Sequence, residues 1–240
     1  VLVLAASAGG SASAAGPPGG LSVWPARVVL AAGATASINV ANRGRDAQTL
    51  TIAVAGFALD LRGAPRVVAS SGGTRLLDVQ PLRLGIAPGR VATFVVRARP
   101  GAGLRPGDHP ALVLLGARGT AGGGVAVRMR IGVAVEVHVA GIARRGISLR
   151  SLHPRGHMLE LTIANGGDVA ERIGRTSLLI QVWRHGRLLV VLRPRPRELL
   201  PHTRGIVEFR LPSRLRGRVR AVAVAQGRRI VLRRSFSVSL

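Results

Sequence analysis

VAVRMRIGVAVEVHV, residues 125–139, decides the fold class. An apolar side chain stands at every second position, at Val125, Val127, Met129, Ile131, Val133, Val135, Val137 and Val139, with Arg128, Arg130, Glu136 and His138 between them. Period two puts the apolar set on one face of a β-strand and the charged set on the other, as in an antiparallel sheet with one dry and one wet face. Fifteen residues is long for a strand, so a bend is expected near Gly132. The same rhythm extends both ways in short runs separated by Gly, Pro, Asn and Asp, and helical periodicity is nearly absent. Upstream, residues 21–24 and 27–30 read as one opening strand interrupted at Pro25, which suits a sheet edge. Further strands are expected at 36–41, 50–57, 82–86, 91–97 and 111–115. Downstream, Leu159, Leu161 and Ile163 alternate with Glu160 and Thr162, and Leu178, Ile180 and Val182 alternate with Leu179, Gln181 and Trp183. His185-Gly186 then fits a hairpin turn into 188–192, after which 206–211, 219–224 and 236–240 complete the series.

The chain has 240 residues, which suits two domains of about 100, each able to bury its own core. The pattern breaks at residues 141–146, which carry Arg144 and Arg145, and restarts at Ile147. The expected architecture is all-β, with two tandem immunoglobulin-like β-sandwich domains at 21–141 and 147–240 joined by a linker at 142–146. Aromatics make up only 2% of the sequence, so Val, Leu, Ile and Ala must fill both interiors. Residues 1–20 read differently. VLVLAASAGGSASAAG is a short apolar run followed by small residues, with Ala12-Ser13-Ala14 in the A-x-A form of a signal-peptidase site. We read 1–20 as the remnant of an export signal and a Gly-Pro linker, and expect an extracytoplasmic protein, at the cell surface or secreted. No other stretch reaches the ~18 apolar residues that cross a bilayer, so a membrane anchor is expected only past Leu240.

All 35 basic residues are Arg and none is Lys, a usage that, with abundant Ala and Gly, matches coding bias in a GC-rich genome. Ten acids still cannot neutralise 35 guanidinium groups, and the formal charge of +25 implies a positive field that attracts polyanions. Residues 147–240 hold 19 Arg against 5 acids, a surplus of 14. It concentrates around Gln226-Gly227, in Arg214, Arg216, Arg218 and Arg220, then Arg228 and Arg229, then Arg233 and Arg234. A two-residue hairpin loop there would set Arg220 opposite Arg233, and a three-residue loop would set it opposite Arg234. Either juxtaposition of like charges calls for screening by solvent, a carboxylate or a bound anion. These eight arginines are the candidate anionic-polymer site, because guanidinium forks match phosphate and carboxylate.

Catalysis is not expected. There is no G-x-S-x-G, H-E-x-x-H, Walker loop or helix-opening G-x-G-x-x-G, and the carboxylates are scattered, with Asp46, Asp60, Asp78 and Asp108 expected in or near turns. Cysteine is absent, which removes a disulfide framework, a thiolate metal site and a cysteine nucleophile. His153, His157 and Glu160 form the one metal-like spacing. Pro154-Arg155-Gly156 between the histidines reads as a turn, whereas paired ligands at that spacing sit on one helix face, so neither metal nor cofactor is expected. Trp24 and Trp183 could stack on a sugar, but core packing is the commoner role of Trp in a sandwich. Nucleic acid is not an expected partner, since the chain opens on an export-type segment and offers no aromatic platform for single strands.

Four segments carry a wider pattern: LSVWPARVVLAAGATASINVANRG from Leu21, LRLGIAPGRVATFVVRARP from Leu82, LRPGDHPALVLL from Leu104 and VRMRIGVAVEVHVAG from Val127. They contain an opening strand with Pro, a Gly before a strand ending in Asn, a Pro-Gly before an extended strand, and a Pro-Gly turn before an apolar strand. Over residues 21–141 this resembles the N-terminal domain of the WxL-interacting cell-surface proteins, a sandwich to which peptidoglycan binding is attributed. In that family a second sandwich follows, which ISLRSLHPRGHMLELTIANGGDVAE from Ile147 could begin, and then a membrane helix. The same residues also resemble the N-terminal domain of periplasmic pilus chaperones. That resemblance implies an Arg near the start of the first strand and a Lys in the last strand, which together hold the C-terminal carboxylate of a subunit. Arg27 matches the Arg, but Gly132 stands where the Lys would be, so the clamp is incomplete. The function expected first is an exported, non-enzymatic cell-envelope protein that binds cell-wall glycan, another anionic surface polymer or a surface protein partner. The alternative is an extracytoplasmic chaperone or assembly factor of pilus-chaperone type, with Arg27 as its carboxylate anchor.

Overall fold

A computed structural model of the chain describes residues 2–3, 20–100, 104–120, 126–226 and 231–240. The fold is all-β, with two immunoglobulin-like sandwiches and one short 3-10 turn at Thr74–Leu76 among the described residues. Two compact units result: Val1–Ala58 with Pro65–Ile142, and Leu59–Ala64 with Ala143–Leu240.

The first unit is built from β1 (Leu2–Val3), β2 (Leu21–Trp24), β3 (Arg27–Ala31), β4 (Thr35–Asn42), β5 (Gln48–Leu59), β6 (Pro65–Val68), β7 (Leu77–Gln80), β8 (Arg83–Ile86), β9 (Val91–Ala98), β10 (Gly107–Thr120) and β11 (Ala126–Val139). One sheet runs β1-β11-β10-β5-β6, with β3 also on β11 and β8 also on β5; the other runs β2-β4-β9-β7. The expected opening strand is therefore two strands. β2 pairs with β4 in one sheet and β3 with β11 in the other, so the chain changes sheets at Pro25, and each half has a single partner strand. The alternation holds from Met129 on, Val125 and the Val127 side chain lying outside the described residues: Val133, Val135, Val137 and Val139 are buried, and the first three pack in one core with Ile38, Val40, Phe94 and Val96. Full burial of side chains this size contributes about 1.5–3 kcal/mol each. The β10–β11 ladder runs from Gly107 opposite Val139 to Thr120 opposite Ala126 with no register shift, straight through Gly132. Asp78 and Asp108 are the second residues of β7 and β10, next to the 3-10 turn and the bend that precede those strands, and Asp60 closes a turn by accepting the amides of Arg62 and Ala64 at 2.8 Å each.

The second unit contains β12 (Ile147–Arg155), β13 (Met158–Asn165), β14 (Glu171–Ile173), β15 (Leu178–Arg184), β16 (Arg187–Leu192), β17 (Arg197–Leu199), β18 (Arg204–Arg210), β19 (Arg218–Gln226) and β20 (Val231–Ser239). Its sheets run β16-β15-β19-β20, β12-β13-β18 and β14-β17. Leu159, Leu161, Ile163, Leu178, Ile180, Val182 and Phe209 share one core. His185 and Gly186 both adopt positive φ, 48° and 75°, the conformation a two-residue hairpin turn of type I′ requires. Residues 143–146 belong to this unit, with the Arg144 amide donating to Asp168 Oδ2 at 3.0 Å and the Gly146 carbonyl accepting from Gly166 N at 2.7 Å.

Three further expectations need correction. The turn between the histidines is at Gly156-His157, because Pro154 and Arg155 are still paired in β12. Between β19 and β20 the described pairs run to Gln226 opposite Val231, a register that differs from both expected ones, and residues 227–230 lie outside the described residues. Arg220 consequently faces Ser237, Arg233 faces Val224 and Arg234 faces Ala223, so the anticipated clash of like charges is absent from this register. Nor do the tryptophans fill the cores. Trp24 is 42% exposed and Trp183 is half-buried outside the core, whose large aromatic volume comes from Phe94 in one unit and Phe209 in the other.

Candidate functional site

On β11 the even-numbered residues turn their backbone away from β10. The Ala134 amide donates to the Ala26 carbonyl and the His138 carbonyl accepts from the Ala32 amide, both at 3.0 Å. Strand alternation puts the N–H and C=O groups of Gly132 and Arg130 on that same side. β3 pairs in parallel only from Arg27 opposite Ala134 to Ala31 opposite His138. Below it, the strand that meets this edge is β1, also parallel, with Leu2 opposite Arg130 and Val3 opposite Ile131. Gly132 thus marks the point where one edge partner gives way to another.

Arg27 lies at the start of β3, as expected, but its guanidinium is already matched to a carboxylate of its own chain. Arg27 Nη2 donates to Glu136 Oε2 at 2.9 Å, and Glu136 is the better buried of the two. Gly132 supplies no side chain for a second cation.

The six described members of the eight candidate arginines are not gathered at one place in the second unit. Arg214 and Arg216 sit in the turn before β19, and the Arg216 carbonyl accepts from the Arg184 guanidinium. Arg228 and Arg229 lie outside the described residues. Arg234 is structural: its Nη1 donates to the Leu149 carbonyl at 2.6 Å and its guanidinium lies 5.5 Å from the Phe236 ring centroid. Arg233 points the opposite way along β20, onto the face that carries Arg218 and Arg220, but it stands opposite Val224, four positions along β19 from Arg220. Arg218 and Arg220 remain, and they line a cleft of about 880 Å³ with Trp183, His185, Ser237 and Ser239. Pairing explains this gathering, since Trp183, Arg220 and Ser237 form one cross-strand row and Arg218 and Ser239 form another. Among the described residues neither Arg218 nor Arg220 has a carboxylate within salt-bridge distance; Arg220 donates only to Ser235 Oγ, at 3.3 Å. Four acids of this unit are engaged elsewhere: Glu160 and Glu208 hold Arg62 at 2.7 Å each, Glu171 holds Arg145 at 2.9 Å, and Asp168 holds His202 at 3.1 Å. His185, Ser237 and Ser239 escaped the sequence reading because they join Arg218 only through strand pairing, although the outward alternation of the serines was visible.

His153 faces Glu160 across the β12–β13 hairpin, and Glu160 is bound by Arg62 and approached by Arg155 at 3.7 Å. Among the described residues no three His, Cys, Asp or Glu side chains gather where they could share a metal ion.

No protein-family model matches the chain, and no curated protein does. Solved structures do. A chain of a chaperone–tip adhesin complex from CFA/I fimbriae biogenesis matches with a TM-score of 0.53 at 13% identity, covering 90% of this chain and 97% of that one. The class 5 fimbriae chaperone CfaA matches with a TM-score of 0.52 at 13% identity, covering 90% and 98%. The periplasmic chaperone SfaE aligns over 92% of this chain and 100% of its own at a TM-score of 0.45 and 10% identity. Of the two resemblances noted in the sequence, the one to pilus chaperones has a counterpart here and the one to WxL-interacting proteins has none. Peptidoglycan binding and a cell-wall polymer partner gain no support. The chain has the two-domain all-β fold found in fimbrial chaperones.

Proposed function

We propose that the protein is an extracytoplasmic, non-catalytic assembly factor of pilus-chaperone type, which holds a protein subunit by pairing a strand of that subunit with the edge of β11 next to Gly132. The observation that carries this reading is β1: a Leu-Val pair lies parallel to Arg130 and Ile131 on this edge, so the edge accepts an extended apolar segment. An unpaired strand edge is a template for another chain, with main-chain hydrogen bonds supplying affinity and alternate side chains supplying selectivity. The fold likeness to a fimbriae chaperone supports the same partner class. Because Glu136 already neutralises Arg27 and Gly132 offers no second cation, we assign the grip to the strand edge rather than to a captured carboxylate.

A chain beginning at Gly20, titrated with a fluorescent peptide of residues 1–7, tests the idea. Gly132→Pro removes an amide that faces the edge and spares the β10 ladder, so it should weaken the peptide at least tenfold, while Arg27→Gln should change it less than threefold. Equal binding by wild type and Gly132→Pro, with Trp24 fluorescence unchanged, would end the proposal.

A further inference from the structure

We infer that the cleft lined by Trp183, Arg218 and Arg220 in the second unit binds an acidic sugar, a ring bearing phosphate or carboxylate. Its volume of about 880 Å³ lies within the range of small-ligand sites, roughly 300–1,000 Å³. Arg218 and Arg220 are two apart on β19, so both forks leave the same face of the sheet. Neither has a carboxylate partner among the described residues, so an anion placed between them would meet two guanidinium groups not yet neutralised. Trp183 stands in the same cross-strand row as Arg220 and presents an aromatic surface to a ring. Ser237 and Ser239, exposed on the neighbouring strand, can each donate and accept, which suits ring hydroxyls. An acidic peptide fits less well. β19 is flanked by β15 and β20, so the cleft floor has no free strand edge for a peptide backbone to join.

The chain contains two tryptophans, so in the full chain carrying Trp24→Phe the indole of Trp183 reports alone. Glucose 6-phosphate and trigalacturonate are titrated against it, followed by fluorescence and by the indole N–H resonance, with maltotriose, inorganic phosphate and a tetra-aspartate peptide as comparisons. At least one acidic sugar should bind ten times tighter than maltotriose and inorganic phosphate, and comparison of the two shows whether phosphate or carboxylate is preferred. Arg218→Gln with Arg220→Gln should reduce that affinity at least tenfold and Ser237→Ala about threefold, while Gly132→Pro leaves it unchanged. Inorganic phosphate binding as tightly as the sugars would reduce the cleft to a plain cationic patch and overturn the inference. So would tighter binding of the peptide, or affinity that survives the double Arg replacement in a protein whose unfolding midpoint is unaltered.

Discussion

One corner is built twice. In the first unit Leu21 pairs with Asn42, the Gly20 carbonyl accepts from Arg43 N at 2.5 Å, and Asn42 Oδ1 accepts from Gly44 N at 3.0 Å. The second unit repeats each element, with Ile147 opposite Asn165, the Gly146 carbonyl accepting from Gly166 N at 2.7 Å, and Asn165 Oδ1 accepting from Gly167 N at 2.9 Å. Asn42 and Asn165 are the buried polar side chains among the described residues. The corners differ in reach. The Asn42 amide donates to the carbonyls of Asp46 at 2.8 Å and Ile86 at 3.0 Å, whereas that of Asn165 is shared by Val169 at 2.8 Å and by Leu199 and Leu200 at 3.2 Å each. Each sandwich therefore ties the strand that ends in Asn, β4 or β13, to a distant segment through a single buried amide, and the second unit leans on it more. The close approach demands glycine: a Cβ on Gly167 would lie 2.6 Å from the Arg144 carbonyl oxygen, and one on Gly20, at φ 71°, would lie 2.4 Å from Gly44 N.

Breaking these corners should have the largest effect on stability. Replacing either Asn with Ala strands buried carbonyls, at a cost of roughly 2–5 kcal/mol, and Asn165→Ala should cost more than Asn42→Ala because it strands more of them. Urea unfolding read separately by Trp24 and Trp183 assigns each loss to its own unit. Equal losses below about 1 kcal/mol would show that the corner is not a lock.

A smaller loss is expected from Arg197→Met. Arg197 Nη1 donates to the Ile206 carbonyl at 2.8 Å and Nη2 to the Asp60 carbonyl at 2.9 Å, and its burial holds its pKa below that of a free guanidinium. Gly205 makes room for it, since a Cβ there would lie 2.7 Å from its Nε. Methionine keeps the stem volume and abandons two carbonyls, so about 1–3 kcal/mol should be lost in the Trp183 transition with the Trp24 transition unmoved. A shift of the Trp24 transition instead would refute this assignment.

Acid should separate the units most gently. In the second unit the amide of Ala64 holds Asp60, and the amide of Arg144 holds Asp168, below the ordinary carboxylate range; in the first, the Arg99 side chain does the same for Asp78. A lowered folded-state pKa means stability that is present above about pH 4 and is lost as pH falls through the folded value. The Trp183 midpoint should drop further than the Trp24 midpoint below pH 4, and Asp168→Asn should flatten part of that drop. Parallel curves for the two tryptophans would remove the distinction.

Much of this was legible in advance. The alternation from Met129 to Val139 and from Leu159 to Ile163 is visible because one face of each strand is dry and the other wet. Asn42 was likewise part of the pattern read, as the Asn that ends a strand, whereas Asn165 was not read as a strand end. Six strands went unread: β6, β7, β14 and β17 are only three or four residues long, too short for a period to show and mixed with Arg, Asp or Glu, β1 lies in the segment read as an export-signal remnant, and β12 ends in Pro154-Arg155, which read as a turn. Of the eight candidate arginines, the structure assembles Arg218 and Arg220 into a cleft and turns Arg234 to a backbone carbonyl. Arg27, read as part of one opening strand from Leu21, heads a strand of its own, and its partner Glu136 lies 109 positions away and carries no local signal.

By itself the sequence determined an all-β chain with two cores, because the apolar period of two sorts side chains by face without reference to any partner strand. Register was left to the tertiary structure. Sliding β20 along β19 by an even number of residues leaves every side chain on the same face, so the periodicity reads equally well for Arg220 opposite Arg233 and for the register found, with Arg220 opposite Ser237. That slide decides whether Arg220 meets another guanidinium or Ser237. It also decides whether Trp183, which enters from a hairpin more than thirty positions upstream, completes a cleft or faces an unrelated row.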